Sequence, residues 1–305
     1  MSDVNFLTWN VKDADVKRNK VAATERQSLF QRKDHLYADL LAEMNQRETH
    51  ILILQECFRE DAVQALVGYR EVKDLVGAAK YGLRVLLRED AAFQTSFVVR
   101  FDTHRALCVR IERADGVAFN LISVHLYSKA TADHETQDDA NYDFPTLLQE
   151  YENDIVRNKQ SVVVGDLNYA PFDHFVISPK RLNAVGDKDL IARLGTRRYQ
   201  KKQWEFLYNP MWNLLGDIAE QVPGSGLQPK RGGSFFWNPK GATHHYWNLL
   251  DGVLLRPVLM HSLTANSLRV LETINGQPLL NRDEDEGWVQ AGYSDHLPVV
   301  FTLTF

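Results

Sequence analysis

Short polar groups follow the ends of six apolar, strand-like segments in this sequence of 305 residues. Strands that emerge on the same side of a packed core would gather these groups into one cluster. Carboxylate and carboxamide oxygens are hard ligands that suit Mg²⁺ or Mn²⁺. The sequence therefore predicts a site for such an ion with histidines beside it. The candidate residues are Asn10, Glu56, His125, Asp166, Asn168, Asp251, Asp295 and His296.

Taken singly, each of these groups has an ordinary structural explanation. Asp166 and Asn168 can form a turn, because their short polar side chains bond to the local backbone. Glu56 can cap the helix that follows it. His125 can be a half-buried histidine held by a hydrogen bond, and Asp295 can belong to a surface turn. Their joint occurrence, in this order along the chain, favours a functional site.

The order and the local sequence of these groups resemble the endonuclease/exonuclease/phosphatase superfamily, which includes deoxyribonucleases and apurinic endonucleases. The matching elements span residues 8–298. They are Thr8-Trp-Asn10, Leu54-Gln-Glu56, His125, Gly165-Asp-Leu-Asn168, Trp247-Asn-Leu-Leu-Asp251 and Ser294-Asp-His-Leu-Pro298. The resemblance implies an α/β (α+β) fold, a four-layer α/β/β/α sandwich with two packed mixed β-sheets flanked by helices. It also implies an active site where the strand ends meet.

The resemblance implies a metal site for Mg²⁺ or Mn²⁺. In this interpretation Glu56 is the main metal ligand, and Asn10 and Asp295 lie nearby, where they can complete the shell through water. Whether one or two ions act stays open.

The resemblance also implies catalytic roles. Asp166 would orient or deprotonate the attacking water, and Asn168 would donate its amide to a phosphoryl oxygen. His296 would hold the phosphate or transfer a proton, with Asp251 fixing its tautomer and favouring its charged form. His125 would donate to a non-bridging oxygen or to the leaving group. Which histidine is the general acid stays open.

The elements that would position these groups follow from hydrophobic periodicity. Apolar residues at helical spacing predict helices at about 25–47 and 145–159. Runs of β-branched and aromatic residues predict strands, and Asp115-Gly116 predicts a tight hairpin turn. The predicted strands lie at about 4–11, 50–56, 83–88, 95–100, 106–112, 117–126, 161–165, 250–255, 258–263 and 298–304.

The composition, 44% hydrophobic and 25% charged residues, is that of an ordinary globular protein. Its apolar runs are too short to cross a bilayer, so no membrane insertion is expected. The two cysteines, Cys57 and Cys108, fit a reducing compartment, and the N-terminal residues lack a signal-peptide pattern. We therefore expect a cytoplasmic protein.

The net charge of −5 argues against coating nucleic acid by bulk charge. No obligate protein partner is indicated.

Residues 1–305 are expected to form a single domain, in which 169–248 supplies substrate-contacting loops. A basic patch with interleaved aromatic residues lies in this region. Such a patch suits single strands, where stacking contributes roughly 1–3 kcal/mol per base; the alternative is a solvated helix face. The candidate substrate-binding residues are Arg197, Arg198, Lys201, Lys202 and Trp237.

Acidic segments at 133–143 and 283–286 would repel a long polyanion if they flank the site. The sequence favours a Mg²⁺- or Mn²⁺-dependent phosphodiester hydrolase, first of all a nuclease acting on DNA, with single-stranded DNA or RNA left open. The alternative is a phosphatase or phosphodiesterase acting on a lipid, an inositide or a small nucleotide-like substrate. A catalytically inactive scaffold is disfavoured, because every core residue of the motifs is present.

Overall fold

Two large mixed β-sheets and the helices that cover them make up the fold of this computed structural model. The structure describes residues 1–13, 23–73, 82–101, 105–128, 134–216, 220–222, 226–228, 232–236, 246–280 and 293–305. The helices are α1 (Ala23–Gln46), α2 (Glu60–Gln64), α3 (His134–Ala140), α4 (Phe144–Glu150), α5 (His174–Ile177) and α6 (Lys188–Leu194). The strands are β1 (Asp3–Asn10), β2 (Ile51–Gln55), β3 (Tyr69–Glu71), β4 (Arg84–Arg88), β5 (Gln94–Phe101), β6 (Ala106–Glu112), β7 (Ala118–His125), β8 (Ser161–Asp166), β9 (Ala184–Val185), β10 (Thr196–Tyr199), β11 (Lys202–Glu205), β12 (Leu207–Tyr208), β13 (Glu220–Val222), β14 (Gly226–Gln228), β15 (Phe235–Phe236), β16 (Trp247–Asn248), β17 (Asp251–Leu255), β18 (Arg269–Val270), β19 (Thr273–Ile274), β20 (Gln277–Pro278) and β21 (Val299–Thr304).

The strand order places a parallel pair inside each sheet. The first sheet has six strands in the order β18-β21-β1-β2-β4-β3, and the second has seven in the order β5-β6-β7-β8-β17-β12-β9. In the first sheet β1 runs parallel to β2, and in the second β7 runs parallel to β8. β21 and β17 pair antiparallel to β1 and β8. The parallel pairs bring the carboxyl ends of four strands to the site.

Apolar side chains fill the space between the two sheets, because alternate residues of each strand face it. The ring of Phe6 on β1 stacks on Phe301 at 4.4 Å and meets Phe119 of the other sheet at 5.8 Å. This inner core includes Val4, Ile51, Ile53, Leu121, Val162, Val164, Val253 and Leu255.

Helices cover the outer face of each sheet. Leu36, Leu40 and Met44 of α1 are buried on the first sheet, and Phe144 and Leu147 of α4 are buried on the second. The layers are therefore helix, sheet, sheet and helix, and the predicted α/β/β/α sandwich is confirmed. Within the described ranges, no helix combines the length and the apolar character needed to cross a bilayer.

Most predicted elements are present within a few residues, but some local predictions are wrong. The second predicted helix is shorter, because α4 ends at Glu150 and a π-helical turn, Tyr151–Ile155, follows it. The predicted strand at 258–263 is wrong: a 3₁₀-helix, Pro257–Leu259, stands there with a proline at its first position, where the fixed φ of proline fits.

The basic segment at 196–205 is a β-hairpin, so the alternative of a solvated helix face is wrong for it. The turn residues Gln200 and Lys201 have φ of 48° and 64°. A two-residue turn with positive φ at both central positions is of type I′, which usually contains glycine or asparagine. The hairpin at Asp115-Gly116, which carries the expected glycine, is confirmed between β6 and β7.

Candidate active site

The predicted site residues collect between the two sheets, at the carboxyl ends of β1, β2, β7 and β8. In the second sheet His125 is paired with Asp166, and Asp251, the first residue of the antiparallel β17, is paired with Asp166 from the other side. In the first sheet Asn10 is paired with Gln55, the residue before Glu56. The strand order therefore brings three of the predicted residues to one end of the second sheet and two to an end of the first, and the packing of the two sheets joins them.

The same alternation that builds the core aims these side chains inward. Along β1 the inward positions Val4 and Phe6 are followed by Asn10, and along β8 Val162 and Val164 are followed by Asp166. Asn10 and Asp166 are only 1% and 0% exposed. The site is the polar end of the inner core.

Gly165, the residue before Asp166, occupies a position where only a glycine fits. Its φ is 138°, and a Cβ there would lie 2.2 Å from the carbonyl oxygen of Val124 on the neighbouring strand. The Gly-Asp element therefore lets β8 pack tightly against β7 one residue before the polar end of the strand.

Glu56 and Asp166 converge on the side chain of Asn10. The Asn10 amide donates to Glu56 Oε1 at 3.2 Å and to Asp166 Oδ2 at 3.0 Å. His125 Nε2 lies 3.7 Å from each of the same two oxygens. Two carboxylates aimed at one point form an anionic position that suits a hard cation, so the residues fit a Mg²⁺ or Mn²⁺ site. Glu56 does not cap α2, whose N-cap is Arg59.

Glu56 has a left-handed backbone, with φ of 52°. Such a conformation costs of order 1–3 kcal/mol in a residue other than glycine, and it persists where the surroundings impose it. Here Gly82 packs against the turn, because a Cβ on Gly82 would lie 2.8 Å from Glu56 Cα. Backbone strain at a carboxylate on the site's edge is typical of a functional position.

His296 forms a second cluster with Asp251 and Ser234. Its Nδ1 lies 2.7 Å from Asp251 Oδ2, and the Ser234 hydroxyl donates to the same oxygen at 2.6 Å. Burial alone would lower the pKa of His296, but the carboxylates of Asp251 and Asp166 raise that pKa to about 10. His296 is therefore held as a cation at neutral pH, with Nε2 4.0 Å from Asp166 Oδ2. The Asp251 pairing predicted for His296 is present in the structure.

Asp166 occupies the centre of the site. Burial, and then the nearby charge of Asp251, raise the pKa of Asp166 to about 7. Its Oδ1 accepts a hydrogen bond from the Asn168 backbone at 2.9 Å. Asp166, Asp251 and His296 are also close enough to share an ion, with ligand atoms within 4.8 Å of one another. Because Asp251 Oδ2 already accepts from Ser234 and bonds to His296, this second group suits proton transfer better than metal binding.

Asn168 and Asp295 lie at the margin of the cluster. The Asn168 amide donates to the carbonyl of Leu126 at 3.0 Å, which fixes the side chain beside His125. Asp295 Oδ2 is bound by Lys12 Nζ at 2.5 Å, and the backbone nitrogen of Lys12 donates to Asn10 Oδ1. Asp295 is therefore joined to Asn10 through Lys12.

Sequence reasoning missed Lys12 and Ser234. Lys12 begins the basic segment at 12–33, which the sequence indicates only as a second possible phosphate-facing segment, without a role for Lys12 itself. Ser234 lies 17 residues before Asp251 in a glycine-rich segment, and its hydroxyl also accepts from the backbone of Asp251 at 3.1 Å. No motif marks it, because the contact depends on how the segment folds back onto β17.

The basic hairpin is not brought to this cluster. Its last residue, Glu205, is bound by Lys159 Nζ and lies 3.7 Å from Arg256 Nη1. Lys159 precedes β8 and Arg256 follows β17, so the base of the hairpin lies at the end of the second sheet away from Asp166. The two ends of β8 are five residue steps apart, and at about 3.3 Å per step this separates them by roughly 17 Å.

Among the predicted substrate-binding residues, Arg197 donates to the carbonyl of Ile177 at 3.1 Å. Arg198, Lys201 and Lys202 are exposed on the hairpin. Trp237 lies outside the described residues, as does the acidic segment at 283–286.

An apolar pocket of about 320 Å³ opens beside the site. Phe172, Leu215, Trp247 and Leu249 contribute to its lining. Ala170, two residues beyond Asn168, also lines it, and Leu249 lies two residues before Asp251. The volume is at the lower end of the range for pockets that bind small ligands.

No protein-family model matches the chain, and no curated protein matches its sequence. Solved structures do match. An endonuclease/exonuclease/phosphatase family protein from Bacteroides thetaiotaomicron is similar with a TM-score of 0.57 at 16% identity, over 100% of this chain and 98% of that one. D. rerio TDP2, complexed with a single-strand DNA product, is similar with a TM-score of 0.56 at 15% identity, over 100% of both chains. The mannosyl-6-phosphatase Bt3783 of B. thetaiotaomicron is similar with a TM-score of 0.55 at 18% identity, over 99% of this chain and 100% of that one.

The chain therefore has the fold of the endonuclease/exonuclease/phosphatase superfamily. The resemblance drawn from the sequence motifs is confirmed at the level of the fold.

Proposed function

We propose that the protein is a Mg²⁺- or Mn²⁺-dependent phosphoester hydrolase. The observation that carries this proposal is the convergence of Glu56 Oε1 and Asp166 Oδ2 on one point, with His125 Nε2 3.7 Å from both oxygens. Glu56 would hold the ion together with Asn10, whose carboxamide would turn so that Oδ1 faces the ion in place of the Nδ2 that donates to Glu56 and Asp166. Asp295 would lie beside them. A bound ion supplies charge neutralisation on the phosphoryl oxygens.

In this proposal Asp166 orients the attacking water and accepts its proton. Burial and the charge of Asp251 raise the pKa of Asp166 above its ordinary value, and a carboxylate that takes a proton more readily suits a general base. The backbone hydrogen bond from Asn168 to Oδ1 leaves Asp166 Oδ2 facing the centre of the site, where Asn10 now donates to it.

The histidines act on the phosphoryl group. Asp251 holds Nδ1 of His296, so the charged ring presents Nε2–H to a non-bridging oxygen. His125, 7% exposed on the other side of Asp166, would donate to a second oxygen or to the leaving group. Asn168 would add an amide donor after turning from Leu126.

We propose a nucleic-acid strand as the substrate. The pocket beside the site supports this assignment, because Phe172 and Trp247 offer aromatic faces on which a base can stack. Phe172 is 43% exposed and contacts Trp212, which is 40% exposed, so the aromatic surface continues beyond the pocket. The similar D. rerio structure, solved with a single-strand DNA product, supports the same class of substrate.

A small phosphate ester is the second candidate. Gln137 of α3 donates to the carbonyl of Asn168 at 2.8 Å, and this contact holds the helix with Asp138 and Asp139 next to the site. Acidic side chains there would repel a long polyanion. The similar mannosyl-6-phosphatase supports a substrate of this kind.

A substrate panel separates the two candidates. The purified protein is assayed with Mg²⁺, with Mn²⁺ and with EDTA on single-stranded DNA, RNA, plasmid, inositol phosphates and a sugar phosphate. The nuclease proposal expects cleavage of a strand at a rate well above that of the small esters. Faster turnover of a small ester makes the second candidate the function, and an unchanged rate in EDTA contradicts both.

Substitutions in the hairpin should affect long and short substrates differently. We propose that Arg197, Arg198, Lys201 and Lys202 contact the backbone of a strand long enough to cross the domain. Alanine at Arg198, Lys201 and Lys202, which leaves the contact of Arg197 with Ile177 in place, should weaken the binding of long single-stranded DNA. It should also lower the log–log salt slope by about 0.7 per lost contact. Hydrolysis of bis-p-nitrophenyl phosphate should not change. Salt-dependent binding titrations measure both quantities.

The matched control for the loss of three charges is a variant with alanine at three exposed basic residues outside the hairpin, Arg47, Lys73 and Arg269. Equal affinity and equal slope for the hairpin variant and the wild type would show that the hairpin is a solvated surface, and would favour the small-ester candidate.

A further inference from the structure

Three chain segments carry the proposed metal ligands, and all of them join the first sheet at the site. The first begins at Asn10, the last residue of β1; the second follows β2 and begins with Glu56; the third leads into β21 and contains Asp295. Two hydrogen bonds to backbone carbonyls link these segments directly. The Asp13 backbone nitrogen donates to the Glu56 carbonyl at 2.9 Å, and the Ser294 hydroxyl donates to the Asn10 carbonyl at 2.5 Å.

Two polar side chains of α1 reach these segments from the outer helix layer. Lys33 and Tyr37 lie one helical turn apart and are 4% and 3% exposed, so both face the sheet. Their neighbours on that face are Leu36, Leu40 and Met44. An ammonium group and a phenol within an apolar helix face add little to the packing of the core, and burying them is costly unless they are well bonded.

Lys33 joins the first segment to the third. Its ammonium donates to the carbonyl of Val11 at 2.5 Å, one residue after Asn10. It also donates to the carbonyl of Tyr293, two residues before Asp295. A single cation therefore fixes the backbone beside two of the proposed ligands.

Tyr37 joins the first segment to the second. Its hydroxyl donates to Asp13 Oδ2 at 2.5 Å and lies 3.2 Å from the sulfur of Cys57, the residue after Glu56. Asp13 is 1% exposed, and besides Tyr37 its carboxylate is bonded by the backbone of Arg59. The hydroxyl of Tyr37 is therefore the side-chain donor that holds this buried carboxylate in place.

We propose that Lys33 and Tyr37 are positioning residues, which hold the segments bearing Asn10, Glu56 and Asp295 in the geometry that binds the metal ion. The inference rests on the proposed function, because it needs those residues to be the ligands. Neither side chain touches the substrate. Groups that orient metal ligands from outside the ligand set change metal affinity by about 10- to 100-fold.

The test is calorimetric titration of Mn²⁺ into the metal-free wild type, Tyr37→Phe and Lys33→Met. The Tyr37→Phe variant should bind Mn²⁺ at least about tenfold more weakly, because Asp13 loses its side-chain donor and α1 loses its hydroxyl contact with the segment beside Glu56. Lys33→Met, which keeps the length of the side chain, should weaken Mn²⁺ binding by a similar factor. Saturating Mn²⁺ should restore the turnover of Tyr37→Phe to the wild-type value.

Tyr69→Phe is the matched control. The hydroxyl of Tyr69 donates to the Thr49 carbonyl at 2.6 Å in the same sheet, at the end of β2 away from Glu56. This variant also loses one buried hydrogen bond, so it reports the effect of destabilisation alone, and it should bind Mn²⁺ as the wild type does. An affinity of Tyr37→Phe within twofold of the wild type, or an equal loss in Tyr69→Phe, overturns the inference. Failure of the wild type itself to bind Mn²⁺ overturns the proposed function instead.

Discussion

Asp166→Asn is expected to lower the turnover of a phosphodiester substrate by at least about a hundredfold, with the fold intact. The amide keeps the shape of the side chain but cannot accept a proton, and a positioned general base contributes typically 10²–10⁴-fold to a rate. Steady-state turnover of bis-p-nitrophenyl phosphate at saturating Mn²⁺ measures the loss.

The stability of this variant separates catalysis from folding. Burial raises the pKa of Asp166 to about 7, above the ordinary value of 3.8, so the charged form is disfavoured in the folded protein. Removing the charge therefore should not lower the melting temperature in metal-free buffer at pH 8. Asp187→Asn, at an exposed helix N-cap where asparagine also caps well, is the control for loss of one charge. Near-wild-type turnover of Asp166→Asn would contradict the role assigned to Asp166.

His296→Ala is expected to reduce turnover by a comparable factor, about a hundredfold or more. The imidazolium is held by Asp251 with Nε2 4.0 Å from Asp166 Oδ2, so its loss removes a positive donor from the position of the phosphoryl oxygens. Removal of one such charge-stabilising donor typically costs about 10²–10³ in turnover. Stopped-time assays on the preferred substrate of the panel give the measurement.

Two further variants serve as comparisons for His296→Ala. His261→Ala removes an exposed histidine beyond the end of β17 that lies away from the site, and it should leave turnover unchanged. Asp251→Asn leaves the ring in place but removes its carboxylate partner, and it should also reduce turnover. If His296→Ala retained the wild-type rate, the charge on the phosphoryl group would be neutralised by other residues.

Much of the fold was predictable because regular patterns encode it locally. Runs of β-branched and aromatic residues predicted β1 and β8, and helical spacing predicted α1 at nearly its observed bounds. The segment at 258–263 failed because a run of apolar residues does not distinguish a strand from a short helix that begins at Pro257. The hairpin at 196–205 carried no turn signal, since Gln200 and Lys201 adopt positive φ without a glycine.

The predictable residues of the site are polar side chains that lie at the ends of predicted strands. Asn10, Glu56, His125, Asp166 and Asp251 all lie at the end or the start of a predicted strand, so the strand order and the packing of the two sheets gather them. The contacts made by Lys12, Lys33, Tyr37 and Ser234 join segments far apart in the sequence, and no local pattern encodes such pairs. Their roles follow only from the folded chain.

The position of the basic hairpin shows a second limit of sequence reasoning. Four basic residues close to one another in the chain predict a binding surface but not which end of the sheet carries it. The contact of Lys159 with Glu205 places the base of the hairpin at the end away from Asp166. Charge density is encoded locally, whereas distance from the site depends on the strand register.

The most direct test of the central claim is a Mn²⁺ titration of bis-p-nitrophenyl phosphate hydrolysis by metal-free wild type and by Glu56→Gln. The small diester needs no contact with the pocket or the hairpin, so the assay reports the cluster alone. We expect no turnover without metal, saturable activation of the wild type, and a half-saturating Mn²⁺ concentration at least about tenfold higher for Glu56→Gln, which lacks the charge of the proposed main ligand. Full turnover of the metal-free wild type, or identical titrations of the two proteins, would contradict this claim.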